Sequence, residues 1–267
     1  MLAHLPSRGV LAISGPDRIT FLNGLVSNEV TRATPGNAVW AALLSPQGRY
    51  LIDFFIFSDG DTLFLDAPAA GLDDLQKRLS RYRLRAAVVI ENVSATRHVH
   101  AAWNQLPPEI PITAPDPRLP EAGFRMLSKT ILPTAGNEAA YHAHRHTLGL
   151  PDGPPDLEPD KTLLLEANFD ALNGVDFQKG CYMGQELTAR TKYRGLIKRR
   201  LIPIALESSA PPPGTPILAE GTEVGTIRSS SGTLALATLR LDALQKPLIT
   251  GSSLVTPRIP PWMNLTS

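Results

Sequence analysis

The sequence predicts an α+β fold that ends in a small all-β domain, and three observations carry that prediction. Between residues 39 and 65 the apolar and aromatic residues run in strand-like blocks around the turn Asp59-Gly60-Asp61. Helical spacing flanks those blocks on both sides. After Arg200 the pattern changes to short apolar runs separated by clusters of Gly, Pro and Ser, as in a barrel or sandwich. The expected division is 1–200, an α+β region of two interleaved subdomains, and 201–267, an all-β domain.

Residues 10–13 read as a short strand. Ser14 is placed to cap the next helix, with Pro16 and Asp17 in its first turn, and Ile19, Leu22, Leu25 and Val26 recur at helical spacing. Residues 51–57 and 62–65 form an expected hairpin. Leu72, Leu75, Leu79 and Tyr82 share one helical face, and 86–90 reads as a strand. The proline-rich stretches 106–120 and 151–159 are expected loops around a helix at 138–147. Residues 161–172 resume helical spacing and stop at Asn173-Gly174. Runs at 201–206, 216–219, 224–227, 234–238 and 253–255 are the later strands, and the last seven residues are expected to fray.

Composition narrows the functional class. The net charge of +1 lacks the basic excess that nonspecific nucleic-acid binding draws on. No apolar run approaches the length of a membrane span, and residues 1–8 lack the pattern of a secretory signal. The single cysteine leaves no internal disulfide and no cysteine-rich metal site, and a reducing compartment is its simplest setting. The expectation is a cytoplasmic protein with neither nucleic acid nor membrane as partner.

The segment richest in chemistry is Lys179-Gly180-Cys181-Tyr182-Met183-Gly184-Gln185-Glu186. Glycine next to Cys181 lets the backbone turn sharply and a ligand approach. From Gly184 onward the residues suit a helix, so Cys181 lies just before a helix N-terminus, where a thiolate is favoured, and Lys179 adds positive charge. A buried structural cysteine in a tight turn is the competing reading.

His142, His144 and His146 alternate, but a helix spreads them around its surface, so no metal site is expected. Lys198-Arg199-Arg200, beside Lys192 and Arg194, is a solvated face or a rim for an acidic partner. Asp152, Asp156, Glu158 and Asp160 lack EF-hand spacing and are expected to be solvated. The sequence contains no P-loop, dinucleotide fingerprint or serine-hydrolase elbow.

The Lys-Gly-Cys-Tyr-x-Gly-Gln-Glu run resembles the signature of the YgfZ-type folate-binding family, whose mitochondrial iron–sulfur assembly factors share it. Residues 174–178, Arg190 and 193–195 also fit, with weaker similarity at 21–30, 43–49 and 145–151. The resemblance implies a T-protein aminomethyltransferase-like ring of three domains, a folate pocket in the central channel and a C-terminal β-barrel. It implies support for assembly or repair of iron–sulfur enzymes, with tetrahydrofolate or a one-carbon derivative as cofactor. The implied partners are iron–sulfur assembly proteins or client iron–sulfur enzymes.

Carried onto this chain, the resemblance makes Cys181 the functional thiol, oriented by Lys179 and facing the channel. Asn28, Arg145 and Glu166 are the expected ring-side contacts, with Tyr182, Gln185 and Glu186 from the motif also binding cofactor. Arg190 and Arg194 supply charge for the glutamate tail. Two departures stand out. Ser27-Asn28-Glu29 replaces the usual Thr-Asn-Asp, and Asp53 alone represents the adjacent acidic residues of T-proteins. The second departure argues against ordinary aminomethyl transfer. A one-carbon transferase and a client-binding scaffold with a vestigial pocket are the alternative readings.

Overall fold

The computed structural model describes residues 1–195 and 197–265. Strands β1 (Leu2–His4) and β2 (Arg8–Ser14) enter different sheets, so the first two units share the N-terminal chain. β2 joins β3 (Val39–Leu44), β4 (Tyr50–Ser58), β5 (Thr62–Pro68) and β6 (Val89–Asn92) in an antiparallel sheet of order β3-β4-β5-β2-β6. Side chains alternate across its faces. Leu11, Ile13, Ala41, Phe54 and Ile56 face α1 (Arg18–Asn23) and α2 (Leu72–Tyr82), while Val10, Trp40, Ala42, Phe55 and Phe57 face the second core.

The second sheet has the order β1-β7-β9-β8, from β7 (His98–Ala102), β8 (Ile112–Pro115) and β9 (Phe124–Ser128). Helix α3 (Glu138–Leu148) starts where the Asn137 side chain accepts from the Ala140 N–H, and it stops at left-handed Gly149. Helix α4 (Gln185–Tyr193) precedes the last unit. There β10 (Arg199–Leu206), β11 (Pro216–Ala219), β12 (Thr222–Ser231), β13 (Leu234–Arg240), β14 (Leu248–Thr250) and β15 (Ser253–Pro257) close a barrel of order β10-β13-β12-β11-β14-β15. Closure leaves no free sheet edge, and Ile202, Ile227, Ala237 and Leu248 fill its interior. Among the described residues no helix is long and apolar enough to cross a membrane.

The α+β class with a terminal barrel is as expected, and three local readings are corrected. Helix α1 begins at Arg18 rather than after a Ser14 cap, because Ser14 is still in β2, paired with Thr62 and Val89; Asp17 holds the cap position, and its carboxylate accepts from the Ala87 N–H. Residues 161–172 form successive turns, not a helix. Asn168 and Asn173 take positive φ, and the Asn168 side chain donates to Leu201 O on the barrel. The tail holds on where fraying was expected: Trp262 Nε1 donates to Leu148 O, and Met263 is buried in the barrel core. Residues 266 and 267 of that stretch lie outside the described residues.

Candidate functional site

The Cys181 loop is clamped on both sides. On its N-terminal side Asp176 accepts from the N–H groups of Gln178 and Lys179 and pairs with Arg32 at 2.5 Å. The Lys179 ammonium lies 2.7 Å from Asn23 O, 3.0 Å from Asn23 Oδ1, 2.9 Å from Val26 O and 2.8 Å from Asn28 O. Burial holds this ammonium down to about 8, against the pull of Glu29 and Asp176. On the C-terminal side Gln185 Oε1 accepts from Tyr182 N–H, and Met183 N–H donates to Gly24 O. Gly184, left-handed at φ +79, lies so close to the β3–β4 turn that a Cβ would sit 2.5 Å from Ser45 O. Between the clamps Gly180 and Cys181 are exposed, and a Cβ on Gly180 would meet open space.

A buried ionic network joins the three units. Arg8 pairs with Asp66 and Asp152, both at 2.6 Å, and Arg125 completes Asp66 from β9 while lying 3.8 Å over the Phe55 ring. Arg118 grips Asp116 through two nitrogens and donates to Pro151 O. Arg145 pairs with Asp156 at 2.6 Å, and Asp156 also accepts from Ser229 of the barrel. Because that bond uses the Ser229 proton, His146 donates from Nε2 to Ser229 and accepts from Ser231 at Nδ1. Burial, then Arg145, holds His146 down to about 3. The solvated acidic loop expected at 152–160 is therefore corrected at Asp152 and Asp156, whose carboxylates are buried and paired.

Beside this network lies a cavity of about 680 Å³ at the junction of the three units. Leu51, Ile52, Pro68, Pro154 and Pro155 form its apolar wall. Arg78, His142, Arg145, Asp152 and Ser230 are among its polar lining. The volume and mixed lining suit an organic ligand of cofactor size.

The expected site residues do not converge. Arg145 lines the cavity, but its guanidinium is engaged by Asp156, Leu150 O and His142. Cys181 is exposed and is not among the residues that line this cavity. Lys179 fastens the loop to residues 23–28, and its four oxygen partners do not include the thiol. The Asn28 amide donates to Trp40 O and Asn173 O and accepts from Glu29 N–H, which closes it to a ligand. Glu166 lines a separate cleft of about 160 Å³ with Lys161, Arg199 and Arg228, and burial raises its carboxyl. Tyr182 belongs to the second core, its phenol pushed up to about 12 by burial. Glu186 and Arg190 are exposed on α4, and Arg194 is exposed at its C-terminal cap.

In the 198–200 run Arg200 is buried on Asp170 and Leu165 O, while Lys198 and Arg199 are solvated. Asp53 is fully buried, accepts from Trp40 Nε1 and Tyr50 OH, and is raised by burial. The sequence reading missed Asp66, Asp116, Arg118 and Arg125. A charged residue inside an apolar strand, as in Leu63-Phe64-Leu65-Asp66 and Arg125-Met126-Leu127, was the available signal.

The fold and barrel define a class. Residues 198–265 match the family described as CAF17, C-terminal beta-barrel domain. The glycine cleavage system aminomethyltransferase T from Bartonella henselae superposes with a TM-score of 0.77 over 98% of this chain and 86% of its own, at 15% identity. The chain thus has the aminomethyltransferase T-protein fold.

Sequence relatives narrow the class. Iron-sulfur cluster assembly factor IBA57, mitochondrial, of Mus musculus is 34% identical over 97% of this chain and 84% of its own. The Homo sapiens factor of the same name is 34% identical over 92% and 79%. The Mycosarcoma maydis homolog is 38% identical over 79% and 59%. The chain belongs to the IBA57 family of iron–sulfur cluster assembly factors. These relatives are named as mitochondrial, which overturns the cytoplasmic expectation. A lone thiol is compatible with any reducing compartment and did not discriminate between them.

Proposed function

We propose that this protein supports assembly of iron–sulfur clusters by presenting Cys181 to a partner protein. The supporting observation is the exposed thiol on a loop anchored through Lys179, Gln185 and Gly184. A cluster usually takes four protein ligands, so one cysteine acts as one ligand of a cluster shared with an assembly protein or a client. Arg190 and Arg194, exposed on the helix that follows the thiol loop and at its C-terminal end, suit an acidic partner. The test is anaerobic reconstitution with ferrous iron, sulfide and glutathione, with and without a cluster-carrying assembly protein. A visible chromophore that needs Cys181 supports the reading; no chromophore under any thiol condition removes it.

The family resemblance adds tetrahydrofolate, and the central cavity fits it in size and mixed polarity. Arg78, His142 and Asp152 are lining residues that would hold it there. When bound, tetrahydrofolate supplies a nitrogen that carries one-carbon units. Asp53 is sealed by Trp40 and Tyr50, so this chain offers no exposed carboxylate at that position for aminomethyl transfer. Anaerobic calorimetry with tetrahydrofolate tests the cavity reading, and absence of binding defeats it.

A further inference from the structure

His142 stands on α3 with one ring edge against Arg145 and lines the central cavity. Arg145 Nε donates to His142 Nδ1 at 2.8 Å. A guanidinium N–H only donates, so Nδ1 carries the lone pair and the single ring proton of the neutral imidazole sits on Nε2. Burial, then the Arg145 charge, holds the ring below its ordinary value, while Asp152, Glu138 and Asp156 pull the other way. No protein acceptor faces Nε2 among the described residues. The two histidines of this helix therefore differ. Ser229 and Ser231 engage both nitrogens of His146, whereas His142 keeps one fixed donor free.

We propose that His142, locked by Arg145 in its Nε2–H form, is the hydrogen-bond donor that makes the cavity select ligands presenting an oxygen acceptor there. This inference rests on the reading of the cavity as a tetrahydrofolate site, and it adds the residue that sets orientation. Arg145 behind the ring bars the alternative tautomer, so a ligand offering an N–H at that point leaves two donors facing each other. The acceptor is the pterin 4-oxo group or a carboxylate of the tail.

The test is anaerobic calorimetry of tetrahydrofolate on the wild-type chain and on His142→Phe and His142→Gln. Phenylalanine keeps a ring and removes the donor, whereas glutamine keeps an N–H near the same place. The expected result is about tenfold weaker binding in His142→Phe and less than about threefold in His142→Gln, the scale of one hydrogen bond. Preference for tetrahydropterin over 2,4-diaminopteridine, lost in His142→Phe, assigns the 4-oxo group. Equal affinity of the two pteridines, with tetrahydrofolate still weakened, assigns the tail. Equal tetrahydrofolate affinity in all three proteins overturns the inference and leaves the cavity reading standing. No wild-type binding overturns both. Nitrogen-15 spectra showing Nδ1 protonated in the wild-type ring overturn the locked tautomer directly.

Discussion

The Cys181 side chain projects from a loop in which the neighbouring groups are engaged with the fold, while the thiol packs in no core. Cys181→Ser is therefore expected to change unfolding free energy by less than about 0.5 kcal/mol by denaturant titration, the ordinary scale for an exposed site. His146 belongs to the opposite category. Its folded form stays neutral down to about pH 3, whereas in the unfolded chain it takes a proton near 6.5. The unfolded state thus binds more protons in that window, and the contribution, full above pH 6.5, is lost as pH falls. The expected outcome is a stability loss between about pH 6.5 and about pH 3 that flattens in His146→Gln, read from thermal melts across pH. An unchanged pH slope in the variant removes His146 as its source.

At the scale of elements, the motif divides into residues that build the loop and residues that the loop displays. Gly184 adopts φ +79 against Ser45 O, so Gly184→Ala combines backbone strain with a clash and is expected to cost about 2–4 kcal/mol in chemical unfolding. Gly180 lies outside the left-handed region with open space around its Cα, so Gly180→Ala is expected to leave stability within about 0.5 kcal/mol. A loss of cluster assembly in Gly180→Ala without a loss of stability would mark this stretch as a contact for the partner.

Apolar blocks at 39–65 and the short runs after Arg200 made the first sheet and the barrel strands legible, since a strand buried on both faces reads as a short continuous apolar run bounded by turn residues. The segment 161–172 was illegible for the same reason in reverse. Its leucines sit at helical spacing, yet tertiary bonds from Asn168 and Arg200 to the backbone hold it in turns. The thiol motif could be read locally, whereas the cavity wall gathers Arg8, His142, Asp152 and Ser230 from distant parts of the chain.

Across the whole molecule, the three units are held at their junction by charge as well as by apolar packing. Asp66 on the first sheet serves Arg8 and Arg125, and Asp156 ties α3 to the barrel through Arg145 and Ser229. Removing one member leaves a buried charge unpaired, so Asp66→Asn is expected to destabilise the protein by about 3–5 kcal/mol in denaturant titration. The exposed Cys181 is not among the residues lining the cavity at that junction. The most direct measurement is the activity of an iron–sulfur enzyme in cells deleted for their own IBA57-family member and complemented with this chain or its Cys181→Ser variant, at equal protein levels. The account predicts recovery with the wild-type chain and about a tenth of it or less with the variant, the loss of an essential cluster ligand. Equal recovery with both would contradict it.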